Sequence, residues 1–173
     1  MILEYYCTRG DVTKPTRANP SDAGLDVHFN PDDAALSGVY LEPGESKLFS
    51  TGLKFGVPHG YMLEVKNRSG NASKRSLLVG ACVIDSGYNG EVFVNLHNVG
   101  NKTQFIERGM KIAQIVMVPV VHFRALETSR DNLYDWHPIT ISDRGSGALG
   151  STDKQKSVDP FNTPKAWELG DPS

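Results

Sequence analysis

Between Val83 and Glu91 the chain reads VIDSGYNGE. An apolar run closes on a carboxylate, a glycine-rich turn follows, and a second apolar run opens at Val92. A free aspartate has a pKa of about 3.9 and is ionised near neutrality. Within hydrogen-bond reach of a water, Asp85 can orient that water and take its proton. Tyr88 stands three residues further on, and its ring offers a flat floor to a sugar-sized ligand. The same residues also suit a plain turn, with Asp85 capping backbone N–H groups and Tyr88 packing over the core. Spacing alone leaves both readings open.

Four other segments carry groups of the kind that bind phosphate. In SDAGLDVHF, Ser21–Phe29, Asp26 sits between apolar Leu25 and Val27 in a predicted strand. Such an acid is either a hydrogen-bond acceptor at a turn or part of a site, and the first is the commoner case. In NRSGNASK, Asn67–Lys74, Arg68 offers a planar fork for phosphate oxygens and Ser69 a hydroxyl. The N–H groups of a helix start would add to this; the plainer alternative is an ordinary N-cap beside a solvated arginine. In ERGMKIAQIVMVPV, Gln114 is the neutral polar group within an apolar strand, where it either satisfies a backbone edge or donates to a ligand. In DRGSGALGST, Gly145, Gly147 and Gly150 satisfy G-x-G-x-x-G. Too few residues follow Gly150 to complete a βαβ unit of ~30 residues. The better reading is an arm whose glycines let backbone approach a polyphosphate, with Arg144, Ser151 and Thr152 closing over it. A Gly-rich linker is the alternative.

The elements that must position these groups are mostly short strands. Candidates are Lys47–Leu53, Tyr61–Lys66, Leu77–Ile84, Glu91–Asn98 and Lys111–Phe123, punctuated by Pro43-Gly44 and Pro58-His59-Gly60. Val92, Val94 and Leu96 alternate with Phe93, Asn95 and His97, as a half-buried strand requires. Pro119 marks an edge or a bend in the last candidate. Ser69–Ser76 is the one helical stretch, of one or two turns. The pattern predicts an all-β sandwich or barrel. Residues 1–152 form the expected β domain, with the arm at 143–152, and residues 153–173 a flexible tail. Phe161 and Trp167 are the tail's only large anchors.

Composition narrows the function. The 173 residues are 39% hydrophobic, enough for a real core, and the net charge of −2 recruits no nucleic acid. Two cysteines, Cys7 and Cys82, lack metal-ligand spacing and fit a reducing compartment. MILEYYCTRGD does not read as a secretory signal, and no segment is apolar enough to span a bilayer. The expected location is the cytoplasm, that of the host cell if the source is a virus.

In order, AGLDV, RSG, VIDSGYNGE, KIAQ and RGSGALGST resemble the five segments of the homotrimeric dUTPase family, over roughly Ser21–Thr152. The resemblance implies a distorted β jelly roll with one short helix, assembled as a trimer whose three active sites are shared between subunits and closed by C-terminal arms. It implies hydrolysis of dUTP to dUMP and pyrophosphate with Mg²⁺ on the triphosphate, which limits uracil incorporation into DNA and supplies dUMP for dTMP synthesis. It implies that Asp85 activates the water attacking the α-phosphorus and that Tyr88 excludes a 2′-hydroxyl. Backbone at Val83 and Ile84 would read uracil. Arg68, Ser69, Gly70 and Gln114 would engage phosphates, Asp26 would touch the metal shell through water, and Arg144, Gly150 and Ser151 would fold the arm over the β- and γ-phosphates.

Three positions depart from the family pattern. Leu149 stands where the arm usually carries a uracil-stacking Phe, a loss of ~0.5–1.5 kcal/mol. Phe161 or Trp167 is a candidate replacement ring. Cys82 replaces a common Gly and is read as a small core residue. The segment between Pro119 and Arg144, with Trp136 and His137, is read as a surface excursion. A related deaminase family shares the hairpin but needs a Glu ten residues beyond the aspartate, where this chain has Asn95. A nucleotide-responsive binding protein that contacts a regulator is the rival from another class, its partner unspecified.

Overall fold

In a computed structural model of the chain, residues 1–134 are described. Among the described residues the strands and the helix lie within the unit Met1–Arg124; of the second unit, Ala125–Ser173, residues 125–134 are irregular and exposed. The all-β expectation holds, with eleven strands and one short helix among the described residues.

Four small sheets enclose the core. The largest joins β2 (Leu25–His28), β11 (Lys111–Pro119), β6 (Tyr61–Lys66) and β8 (Val83–Ile84), in that order. A second joins β4 (Ser46–Ser50), β9 (Phe93–Asn98) and β7 (Leu77–Val79). Two-stranded pairs complete the set: β1 (Glu4–Cys7) with β5 (Leu53–Gly56), and β3 (Gly38–Leu41) with β10 (Gln104–Glu107). The inward faces meet in one cluster that includes Val27, Phe49, Leu63, Val94, Leu96 and Ile115. Phe29 and Phe49 meet edge to face at 5.0 Å, the geometry that ring quadrupoles favour. The alternation predicted around β9 is present: Val92, Val94 and Leu96 are buried while Phe93 is exposed.

Two expected strands are each cut in two. Lys47–Leu53 divides into β4 and β5, which belong to different sheets. At the break, Gly52 takes a φ of 66°, open to glycine at little cost, and Thr51 Oγ1 donates to the Val92 carbonyl at 2.6 Å. Leu77–Ile84 divides into β7 and β8, also in different sheets. At Gly80, whose N–H donates to the Asn95 carbonyl at 2.9 Å, a Cβ would collide with the ends of the His97 and Asn95 side chains, so any larger residue must displace them as the chain leaves β7. Pro119 ends β11 opposite Tyr61, where β6 is the strand's one partner because pairing with β2 stops at Ile115. That is the edge position a proline tolerates.

The helix α1 (Ser69–Arg75) forms where predicted. Its C-cap, Ser76, is left-handed at φ 54°. Buried Asn71 ties it to the sheet by donating to the Lys111 carbonyl at 3.0 Å and that of Ile112 at 3.3 Å.

Candidate active site

Strand register brings candidate residues together. In β11, Gln114 lies opposite Asp26 of β2 on one side and Lys66 of β6 on the other. Two residues past Lys66 the chain reaches Arg68 and turns into α1. A cleft of about 560 Å³ results, lined by Gly24, Asp26, Arg68, Ser69, Gly70 and Gln114. Three of the predicted segments, far apart in sequence, share this surface.

Both oxygens of Asp26 are engaged. Arg68 Nε donates to Oδ1 at 2.8 Å and Lys111 Nζ to Oδ2 at 2.8 Å. Burial raises the Asp26 carboxyl, but hydrogen bonds from Lys111 and Arg68, with their charges, outweigh it and hold the group below the usual carboxylate range. Nearby His28 is lowered, by burial first and then by the Lys111 charge. Arg68 is therefore not a solvated arginine beside a plain N-cap. It is locked through Nε, and its two Nη groups have no hydrogen bond among the described residues. A guanidinium held this way presents its outer N–H pair to an oxyanion. No side chain caps α1, and no acid lies in its first turn, so negative charge is welcome at Ser69 and Gly70. Gln114 Nε2 donates to the Asn67 carbonyl at 2.9 Å, which fixes the carboxamide against the strand end that leads to Arg68.

The cleft fits a metal only in one manner. No group of three or more His, Cys, Asp or Glu side chains converges among the described residues, so there is no protein cage. Each Asp26 oxygen keeps a second lone pair for a water. This suits Mg²⁺, which retains waters and binds through substrate phosphates.

The hairpin carries a second cleft. Val83, Ile84, Asp85, Tyr88, Glu91 and Phe93 line a cleft of about 240 Å³. β8 is the last strand of its sheet, so its outer main-chain groups meet no further strand among the described residues. Gly87 takes a φ of 91°, and Tyr88 N donates to the Asp85 carbonyl at 3.2 Å. The Asp85 carboxylate is exposed and makes no hydrogen bond or ion pair among the described residues. It therefore caps no turn. Tyr88 is 49% exposed and does not pack into the core; its hydroxyl donates to the Glu91 carbonyl at 2.9 Å.

Two residues read differently from the sequence. Cys82, expected in the core, is exposed; only its main chain pairs, accepting from Val65 N at 2.7 Å. Glu91, expected to open the strand Glu91–Asn98, lies just before β9 and its side chain is largely buried. Its Oε1 accepts the Ser50 hydroxyl and the Gly52 N–H, the latter at 2.8 Å. Its partners lie about forty residues away in the sequence, so no local signal marks it.

The two clefts share no residue. Asp26, Gln114 and Lys66 form one row across the large sheet, while Ile84 pairs with Leu63 at the far edge. Three strand spacings across and three residues along place Asp26 and Ile84 roughly 17 Å apart. Arg144, Leu149, Gly150 and Ser151, with the rest of the arm and tail, lie outside the described residues.

The sequence model of the dUTPase family matches residues 11–152. The chain belongs to the dUTPase family. The deoxyuridine 5′-triphosphate nucleotidohydrolase of Chlamydia trachomatis serovar L2 is 32% identical over 153 residues, covering 87% of this chain and 98% of that protein. The protein of the same name from Rhizobium etli is 38% identical over 141 residues, covering 80% and 83%. A structure of a point mutant of the Staphylococcus bacteriophage 80alpha dUTPase with dUpNHpp has a TM-score of 0.73 at 25% identity, covering 87% of this chain and 98% of that one. The fold is thus the dUTPase jelly roll, and the chain is a nucleotide hydrolase whose family converts dUTP to dUMP and pyrophosphate. No helix among the described residues is long and apolar enough to cross a membrane.

Proposed function

We propose that this chain hydrolyses dUTP at sites built between copies of itself in a trimer, with Asp85 activating the attacking water. One observation carries the reading. The hairpin and the phosphate cleft occupy opposite edges of one sheet and share no lining residue. Each is half of a site, and a neighbouring copy supplies the other half.

In the completed site the uracil lies along the open main-chain edge of Val83 and Ile84. Tyr88 stands against the deoxyribose and leaves no room for a 2′-hydroxyl. Arg68, Ser69, Gly70 and Gln114 of another copy hold the phosphates. Asp85 accepts a proton from a water as that oxygen bonds to the α-phosphorus. The bond from the α-phosphorus to its bridging oxygen breaks, and pyrophosphate leaves. Mg²⁺ carried on the triphosphate, touched by Asp26 through water, would neutralise charge that develops on the phosphate oxygens. The arm bearing Arg144, Leu149, Gly150 and Ser151 would close over the β- and γ-phosphates and exclude bulk water. The product dUMP then serves dTMP synthesis, and removing dUTP limits uracil in DNA. The nucleotide pool and the reduced cysteines suit an intracellular, cytoplasmic setting.

The test is pyrophosphate release from dUTP by the wild type and by Asp85→Asn. Loss of the base should lower kcat by about 10²- to 10⁴-fold, while dUTP binding stays within about twofold. A variant with unchanged kcat would remove Asp85 from the mechanism.

A further inference from the structure

We propose that Glu91 is a positioning residue for sugar selectivity, because its carboxylate fixes the main-chain carbonyl on which Tyr88 rests; the inference builds on the dUTP reading above. The Glu91 side chain is 16% exposed and lies beneath the hairpin cleft. Oε1 accepts two donors, the Ser50 hydroxyl and the Gly52 N–H. Oε2 is 4.0 Å from Arg9 Nη1. Arg9 is itself held, donating to Asp32 at 2.5 Å and to the Asn30 carbonyl at 2.5 Å. The next residue, Val92, continues the attachment: its N–H donates to the Leu53 carbonyl at 2.9 Å, and its carbonyl accepts Thr51 Oγ1 at 2.6 Å. The closing end of the hairpin is thereby stitched to the Ser50–Leu53 turn.

Tyr88 depends on that stitch. Its ring is half exposed, and its hydroxyl is bonded to the Glu91 carbonyl. The ring also lies directly over Gly90, where a Cβ would strike it. Asp85 is held otherwise, by the pairing of β8 with β6 and by Tyr88 N on its carbonyl. Loss of the Glu91 carboxylate therefore loosens the ring more than it loosens Asp85. An unsupported apolar wall rejects an added hydroxyl by only about a hundredfold, so a looser ring admits ribose readily.

The experiment compares kcat/KM for dUTP and UTP, with thermal melting alongside. For Glu91→Ala the dUTP-to-UTP ratio should fall about tenfold, mainly through gained UTP turnover, with kcat for dUTP changed by less than about threefold. Glu91→Gln keeps a carbonyl oxygen for both donors and should retain the wild-type ratio. A merely structural role would lower both substrates together and leave the ratio intact, which overturns the inference. So does a Gln variant as unselective as Ala. Should Glu91→Ala not fold, Ser50→Ala, which removes one donor, is read the same way; an unchanged ratio there overturns the inference too. A folded wild type that releases no pyrophosphate from dUTP overturns the underlying reading and this inference with it.

Discussion

Arg68 Nε donates to Asp26 Oδ1 at 2.8 Å across 42 residues of sequence. The acid that sequence alone would assign to a turn or a metal shell thus fixes the orientation of the arginine proposed to meet phosphate. Lys111 takes the other oxygen at 2.8 Å, so the carboxylate balances two cations before any ligand arrives. An anion entering the cleft would meet groups already oriented, and such preorganisation reduces the ordering cost of binding.

Acid should unfold the protein partly through this cluster. The folded-state pKa of Asp26 lies below its ordinary value because Lys111 and Arg68 overcome the effect of burial. The fold thus favours the ionised form, and the resulting stability is complete above about pH 4–5. It is lost as pH falls through the folded-state value, below about 3.9. Urea midpoints of wild type and Asp26→Asn between neutrality and acid pH should converge as the wild type loses this contribution. Parallel curves would mean that the carboxylate contributes nothing to acid stability.

Arg68→Lys should not be a conservative change. The guanidinium spends Nε on Asp26 and keeps both Nη groups for a ligand. A lysine ammonium has one centre and cannot pair with Asp26 while presenting a fork to phosphate. We expect kcat/KM for dUTP to fall by about 10- to 100-fold, with melting temperature nearly unchanged. Wild-type kinetics in the lysine variant would show that charge alone suffices.

Complementation tests the shared site. Asp85→Asn and Arg68→Ala chains should each be nearly inactive alone. Where each site draws its hairpin and its phosphate cleft from different copies, equal mixing restores intact pairs at about a quarter of the sites. Refolding the two variants together and measuring pyrophosphate release reads this directly. No recovery, despite mixed oligomers by mass, would place both halves in one chain.

Local pattern made some of this legible before the structure. Tyr61–Lys66 stands where it was expected because a Pro-His-Gly turn fixes its start and a polar segment its end. The helix at Ser69 and the buried face of Val92, Val94 and Leu96 follow from period alone. The breaks at Gly52 and Gly80 were hidden because each answers to a distant partner: Val92 for the first, and His97 with Asn95 for the second. Cys82 was misplaced for the same reason, since an apolar run does not reveal which of its residues lies in the crossing between two sheets. In the two clefts, residue types alone singled out Asp85, Tyr88 and Arg68 as candidates. Glu91 escaped because its contacts with Ser50 and Gly52 come from about forty residues away in the sequence.

Gly24 shows how closely the phosphate cleft is built. A Cβ there would overlap the Gln114 carboxamide, so Gly24→Ala must push that side chain aside and break its 2.9 Å bond to the Asn67 carbonyl. The carboxamide is the far end of a flexible side chain and can swing into the open cleft. The stability loss should therefore stay near the net value of one hydrogen bond, about 1 kcal/mol. Catalysis should suffer more, because the displaced group would enter the space proposed for phosphate, while Asn67 stays tethered through the Val79 N–H at 2.7 Å. A rise in KM for dUTP of about tenfold, with a melting temperature lowered by only a few degrees, is the expected result. If Gly24→Ala instead unfolds the chain while Gln114→Ala is harmless to activity, the glycine serves packing, and Gln114 has no part in holding substrate.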